Sequence, residues 1–233
     1  MNSSEVAEMA LGTRSRAVAA GIDVHEYDAI VAGIEKLDSW SDGFRDAAAK
    51  HAAAGVRARN DGRLVSARQS FLNAAVWYYF AGAWPSPRVS TYKEAAAALR
   101  EALALAEPIA EHVDGPRFRG ILRLPFVDEY TPLVVLVPGL DGAKEELTTL
   151  SDALLARGCA TFAMDGPGRG NWWGTFRRPL TTRRSSRRLW TRSRNARVAH
   201  GSQAASGFSL QPGWLLRHGF PGARSASACR CHR

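Results

Sequence analysis

The chain has 233 residues, of which 45% are apolar, and it carries 31 Lys+Arg against 22 Asp+Glu for a net charge of +9. Length allows one large or two small domains, at roughly 100–200 residues each, and composition excludes a collagen-like, disulfide-dense or wholly disordered chain. No run approaches the ~18 apolar residues of a membrane span, the start shows no basic stretch followed by an apolar one that would mark a secretory leader, and three cysteines (Cys159, Cys229 and Cys231) make no disulfide framework, so the expected compartment is the reducing cytoplasm.

From Val6 to Glu111 the chain reads as helical, because Ala is abundant and apolar residues recur at helical spacing. Tyr27, Ile30, Val31 and Ile34 share one face, and Asp23 or the break at Gly21 starts that helix. A second helix is expected over Trp40 to Val56 with Ser39 as its cap, since a side-chain oxygen there accepts a free first-turn N–H. Asn60-Asp61-Gly62 marks a turn. Leu64 to Trp84 reads as a third helix, with Phe71, Leu72, Ala75, Tyr78 and Tyr79 on a broad apolar side. Trp84-Pro85-Ser86-Pro87 ends it, because proline cannot continue the hydrogen-bond ladder. Tyr92 to Ala110 is the fourth helix, striped by Leu99, Leu103 and Ala106 and ended or kinked at Pro108. Two readings of the aromatics stand side by side: core packing, or a pocket lined by some of Trp77, Tyr78, Tyr79 and Trp84.

Beyond this point the pattern changes to α/β. Val113 to Phe126 reads as one or two short strands. Leu133-Val134-Val135-Leu136-Val137 is a continuous apolar run closed by Pro138-Gly139, which suits a strand buried on both faces. A loop through Leu140-Asp141-Gly142-Ala143 leads to a helix over Lys144 to Arg157, with Leu147, Leu150, Leu154 and Leu155 on one side and Gly158 as its stop. Cys159 to Met164 is the next buried strand, which makes Cys159 a core thiol rather than a nucleophile. Asp165-Gly166-Pro167-Gly168-Arg169-Gly170 follows it. Strand, helix, strand is a βαβ unit with a parallel pair, and in such sheets the chemistry sits at the carboxyl ends of the strands, where both glycine loops lie.

The loop Pro138-Gly139-Leu140-Asp141-Gly142-Ala143-Lys144-Glu145-Glu146 and the loop from Asp165 to Gly170 together resemble the α/β-hydrolase superfamily. The resemblance is to the branch of capped, esterase-like hydrolases that contains 2,6-dihydroxypseudooxynicotine hydrolase. Trp40, His51, Gly62-Arg63, Ser66-Ala67, Phe71 to Ala74 and Tyr78-Tyr79 agree with it, so the likeness runs from about Val18 to Gly170. It implies an N-terminal helical segment covering the active site, cofactor-free cleavage of an ester, amide or activated C–C bond by a Ser-His-Asp mechanism, and a small-molecule substrate. It also implies an oxyanion hole after Val137, with Gly139 and Leu140 as candidates, because donors fixed there stabilise the oxygen of an attacked carbonyl. Asp141 and Glu145 either contact substrate or serve the first turn of the next helix, where acidic residues suit the helix dipole. Tyr78 and Tyr79 complete the pocket candidates.

The catalytic set itself is missing. An α/β-hydrolase needs a Gly-x-Ser-x-Gly-type elbow, then an acid, then a histidine. After Gly170 no such elbow occurs, the sequence Gly207-Phe208-Ser209-Leu210-Gln211 lacks the closing glycine, and no Asp or Glu follows Asp165. Residues 171–233 hold 13 Arg and no Lys, Asp or Glu, so they carry +13, while residues 1–170 hold 18 basic and 22 acidic groups, −4. One explanation is a basic arm for nucleic acid or an acidic partner. The other is translation of a GC-rich gene in a shifted frame. The stretch Gln211 to His218 can be encoded by CAG CCT GGG TGG CTT CTA CGG CAC; moved by one base, that choice of codons reads Ser-Leu-Gly-Gly-Phe-Tyr-Gly, an elbow-like sequence compatible with a shifted frame.

The expected fold class is therefore α/β: a helical cap segment over 1–112, an incomplete parallel α/β-hydrolase sheet over 113–170, and an irregular tail over 171–233. No catalytic residue, cofactor or metal is assigned, no membrane association is expected, and a homodimer is left open. Cys229-x-Cys231-His232 falls short of a zinc set, and Gly166-x-Gly168-x-Gly170 has the wrong spacing for dinucleotide binding.

Overall fold

A computed structural model of the chain describes residues 3–83, 89–106, 110–115, 118–125, 131–139, 141–170 and 206–209. Five of its six helices come first: α1 (Ser3–Ala19), α2 (Val24–Ala32), α3 (Trp40–Asn60), α4 (Leu64–Ala83) and α5 (Val89–Ala106). Asp23 caps α2, its Oδ1 accepting from the backbone N–H of His25 at 3.0 Å and of Glu26 at 2.9 Å. Ser39 does not cap α3. It closes a 3₁₀ turn, Leu37–Ser39, with helical backbone angles and no side-chain bond to the helix, so its hydroxyl is not in the extended-backbone position that capping requires. The predicted turn at Asn60-Asp61-Gly62 forms, with Arg63 N–H bonded to Ala58 C=O at 2.8 Å.

The helices bury aromatic residues. Tyr27, Trp40, Phe44, Trp77, Tyr79 and Phe80 are almost wholly inaccessible and share one core. Phe44 stacks on Trp40 at 4.5 Å between centroids and meets the rings of Tyr27 at 5.6 Å and Trp77 at 5.1 Å edge-on. Phe71, Leu72, Leu99 and Leu103 form a second core with Ile121 of the sheet, so α4 and α5 lie over one face of it. Ser41 Oγ donates to Ala81 C=O at 2.7 Å, satisfying both groups where α3 meets α4.

The sheet holds β1 (Glu111–Gly115), β2 (Phe118–Arg123), β3 (Pro132–Leu136), β4 (Ala160–Asp165) and β5 (Ser206–Ser209) in the order β1-β2-β4-β3-β5. The predicted βαβ unit is present: β3 and β4 are parallel, with Leu133 opposite Ala160 and Leu136 opposite Ala163. The rest corrects the expected parallel sheet, because β1, β2 and β5 all run antiparallel to their neighbours. A short connection between β1 and β2 permits only an antiparallel pair. The tail is not irregular throughout, since β5 lies in it.

Three details of the βαβ unit differ from expectation. Residues Lys144–Leu147 form a 3₁₀ turn before α6 (Thr148–Leu155). The buried positions there are Thr148 and Ser151, whereas Leu150 is exposed. Ser151 Oγ lies 2.5 Å from Thr161 Oγ1, so small hydroxyl residues bring α6 close to β4. The leucine stripe therefore does not mark the packed face. Strand β3 is only partly buried at Leu133, Val134 and Val135, while β4 is buried along its whole length. Cys159 precedes β4 and is half-buried. Gly158 does stop the helix: at φ +77° it takes the left-handed conformation that glycine tolerates, and Cys159 N–H closes the turn onto Leu154 C=O at 3.0 Å.

Candidate functional site

Because β3 and β4 are parallel, the loops that follow them share one edge of the sheet. They are tied together there. Gly139 C=O accepts from Gly142 N–H at 3.2 Å and from the guanidinium of Arg169 in the other loop. Gly170, at φ +50°, lies against Asp165, and a Cβ on it would fall 2.5 Å from Asp165 Oδ2. Only glycine allows the chain to pass so close to that carboxylate.

Between the two loops lies a buried charged cluster. Lys144 Nζ donates to Glu145 Oε1 at 2.6 Å and to Asp165 Oδ2 at 2.8 Å, and Lys144 N–H donates to Asp165 Oδ1 at 2.7 Å. The three side chains are 4%, 1% and 0% exposed. A buried charge is tolerated only when paired and hydrogen-bonded, and Asp165 achieves this with both oxygens. Burial opposes the charge on Lys144, but Asp165 and Glu145 together outweigh it and hold the ammonium above its ordinary range. Burial pushes the Glu145 carboxyl up, with Asp165 adding to the effect against the attraction of Lys144. Lys144 Nζ thus lies between two carboxyl groups and within hydrogen-bond distance of both.

On the outer side of the loop, α1 supplies Arg16. Its guanidinium reaches Glu146 Oε2 at 2.7 Å, Asp141 Oδ2 at 2.6 Å and Tyr79 Oη at 2.6 Å. Tyr79 Oη donates to Asp141 C=O at 3.2 Å. One side chain from the start of the chain thus holds the β3 loop, the 3₁₀ turn and α4 together. Burial, with the charge of Glu146 adding to it, pushes the Tyr79 phenol far above its usual range.

The predicted site residues separate into groups. Asp141 and Tyr79 meet through Arg16. Glu145 points to the other side, into the Lys144–Asp165 cluster, and does not join them. Tyr78 is half-buried between the two helical cores. Tyr79 is fully buried; its hydroxyl serves the loop rather than lining an open pocket. Gly139 takes its predicted place after β3, whereas Leu140 and Trp84 lie outside the described residues. Arg16, Lys144 and Glu146 were not anticipated. The run Lys144-Glu145-Glu146 beside a glycine loop was a local signal for two of them; Arg16 lies 63 residues from Tyr79 and 125 and 130 from Asp141 and Glu146, and left none.

Glu145 and Glu146 are both raised above the ordinary glutamate range, burial being the main cause in each. The folded protein therefore holds more protons than the unfolded chain at pH values above that range, and stability falls as pH rises through the window between the ordinary and the raised values. In urea titrations across pH 4.5–8, Glu145→Gln is expected to flatten this decline. An unchanged slope in the variant would contradict the assignment.

No protein-family model matches the chain, and no curated protein matches it. Solved structures do match. One is the crystal structure of 2,6-dihydroxy-pseudo-oxynicotine hydrolase, with a TM-score of 0.57 and 25% identity over 66% of this chain and 46% of that one. The chain thus spans about half the length of this solved relative. Among the described residues no helix is long and apolar enough to cross a membrane, and no group of His, Cys, Asp and Glu has the arrangement of a metal site. The helical segment laid over a small mixed sheet, together with this likeness, gives the chain an α/β-hydrolase-like fold and supports a hydrolase-family relationship.

Proposed function

We propose that the chain carries the front part of an α/β-hydrolase site, of the kind that cleaves an ester, amide or activated C–C bond in a small molecule without a cofactor, and that as written it does not turn such substrates over. The observation that carries this reading is the direction of β5. A nucleophile elbow follows a strand whose carboxyl end opens at the site edge of the sheet. The strand beside β3 runs the opposite way, with Ser206 opposite Val135 and Ser209 opposite Pro132. Its exit lies at the entry end of β3, away from Gly139. The missing elbow and the lack of any Asp or Glu after Asp165 agree with this. In the intact arrangement, Leu140 or its neighbour Gly139 would present one backbone N–H of the oxyanion hole, and the Arg16 clamp would hold that loop against reorganisation.

A shifted reading frame after Gly170 accounts for the arginine-rich, acid-free segment. The test is hydrolysis of a p-nitrophenyl ester by the protein as written and by the protein translated from a frame that restores an elbow. The first is expected to show no rate above buffer and the second a rate proportional to protein. Turnover by the chain as written, or none by the restored protein, would overturn the reading.

The charge of residues 171–233 favours a second reading, a basic arm that binds nucleic acid by counterion release. It requires duplex DNA binding that weakens steeply with salt and vanishes when those residues are removed.

A further inference from the structure

Helix α1 is held to the rest of the chain chiefly by polar side chains. Among residues 5–19, Val6 and the small Ala17 are the buried apolar positions and Met9 is partly buried, whereas Leu11 and Val18 are 80% and 42% exposed. The polar contacts run along the helix. Thr13 Oγ1 lies 2.7 Å from Tyr27 Oη, Arg14 donates to both carboxylate oxygens of Asp28 in α2 at 2.7 Å, and Arg16 reaches Asp141, Glu146 and Tyr79. Just past the helix, Ala20 C=O accepts from Thr149 Oγ1 of α6 at 2.9 Å. A helix without a broad apolar face gains little from burial, and an exposed ion pair such as Arg14–Asp28 adds little. Alone, α1 would not persist: a 17-residue helix is marginal in water, and Gly12, Thr13 and Ser15 are poor helix formers. Undocking of α1 is therefore also its unfolding.

What happens to α1 reaches the β3 loop through Arg16. The loop's own backbone bonds are long: Gly142 N–H to Gly139 C=O and Glu146 N–H to Ala143 C=O, both 3.2 Å. Arg16 is the cation that pairs with Glu146, whose side chain is 11% exposed. Taking the guanidinium away leaves a largely buried carboxyl without its partner, which is costly, so the turn has to rearrange when Arg16 leaves. We infer that α1 is a detachable strap: it undocks and unfolds as a unit while α3, α4, α5 and the sheet stay folded, and its departure releases the loop between Gly139 and Leu147. The order of the loop edge of the sheet is then set by the fraction of time that α1 is docked. The strap is independent of the hydrolase reading, since it involves no nucleophile and no turnover.

The test is native-state amide hydrogen exchange on the full chain, which reads local opening segment by segment. The α1 amides and those of Gly142 and Glu146 are expected to exchange at least about tenfold faster than the amides of Trp77 and Phe80 in α4, as segments that open without global unfolding do. Arg14 bonds to Asp28 and to no loop residue, so Arg14→Gln separates the strap from a purely local loop. It is expected to speed the α1 amides and the Gly142 and Glu146 amides by one common factor, about two- to fivefold, the size of a surface ion pair. Arg16→Gln is expected to speed the two loop amides at least about tenfold, since hydrogen bonds to a charged group are lost. Exchange of α1 no faster than that of α4 would overturn the proposal, because α1 would then open only with the whole fold. Faster α1 exchange in Arg14→Gln with Gly142 and Glu146 at their wild-type rates would overturn the coupling, as would wild-type loop exchange in Arg16→Gln. Unchanged α1 exchange in Arg14→Gln would overturn docking through polar contacts.

Discussion

Asp165→Ala is expected to lower the unfolding free energy by about 3–5 kcal/mol, the range found when one partner of a buried ion pair is removed. Asp165 accepts from both the backbone N–H and the ammonium of Lys144, and both side chains are almost wholly buried. The substitution leaves a buried ammonium facing Glu145 alone and loosens the anchor of the 3₁₀ turn to β4. Domains of this size are stable by only about 5–15 kcal/mol, so the variant is expected to populate unfolded chain visibly near 37 °C. The double substitution Lys144→Met with Asp165→Leu is expected to recover much of the loss, because replacing both charges removes the uncompensated one. Urea unfolding of the three proteins checks this. A cost under about 1 kcal/mol for Asp165→Ala would mean that water reaches the cluster.

Phe44→Ala carries the other large effect, about 3–5 kcal/mol for a buried aromatic truncated to a methyl group. Its ring touches three other aromatic rings, from α2, from α3 itself and from α4. Those rings are themselves almost wholly buried and have little freedom to collapse into the space. The variant therefore tests whether α2, α3 and α4 form one cooperative body. A single unfolding transition at lower urea is the expected result. Two separated transitions would show that the helical segment unfolds apart from the sheet.

The helices were legible because their signals are local. The apolar spacing through Phe71, Leu72, Ala75 and Tyr79, the Asp23 cap and the Gly158 stop each act within a few residues, and the structure has all of them. The β3–β4 pair was legible from two apolar runs flanking one helix. Strand direction elsewhere was not, because hydropathy does not distinguish parallel from antiparallel neighbours. The leucines of the segment Lys144 to Arg157 misled for a related reason: periodicity identifies a stripe, but the side that packs was chosen by the hydroxyl contact of Ser151 with Thr161. Within the site, Gly139 and the Asp165 loop were readable from their turn chemistry. The Arg16 clamp and the Lys144–Asp165 pair depend on contacts across long stretches of chain, which a single sequence does not encode in any local pattern. The same limit separated Asp141 from Glu145. Four residues apart in a loop, they looked equivalent, yet one faces Arg16 and the other the buried ammonium.

The most direct test of an α/β-hydrolase-like scaffold without its nucleophile is intact-mass spectrometry after incubation with a fluorophosphonate, which phosphonylates activated serines. The chain as written is expected to keep its mass unchanged, while the frame-restored protein gains one phosphonyl group that denaturation beforehand prevents. Stoichiometric, fold-dependent labelling of a serine in the chain as written would contradict the account, because it would mean that an activated nucleophile is already present.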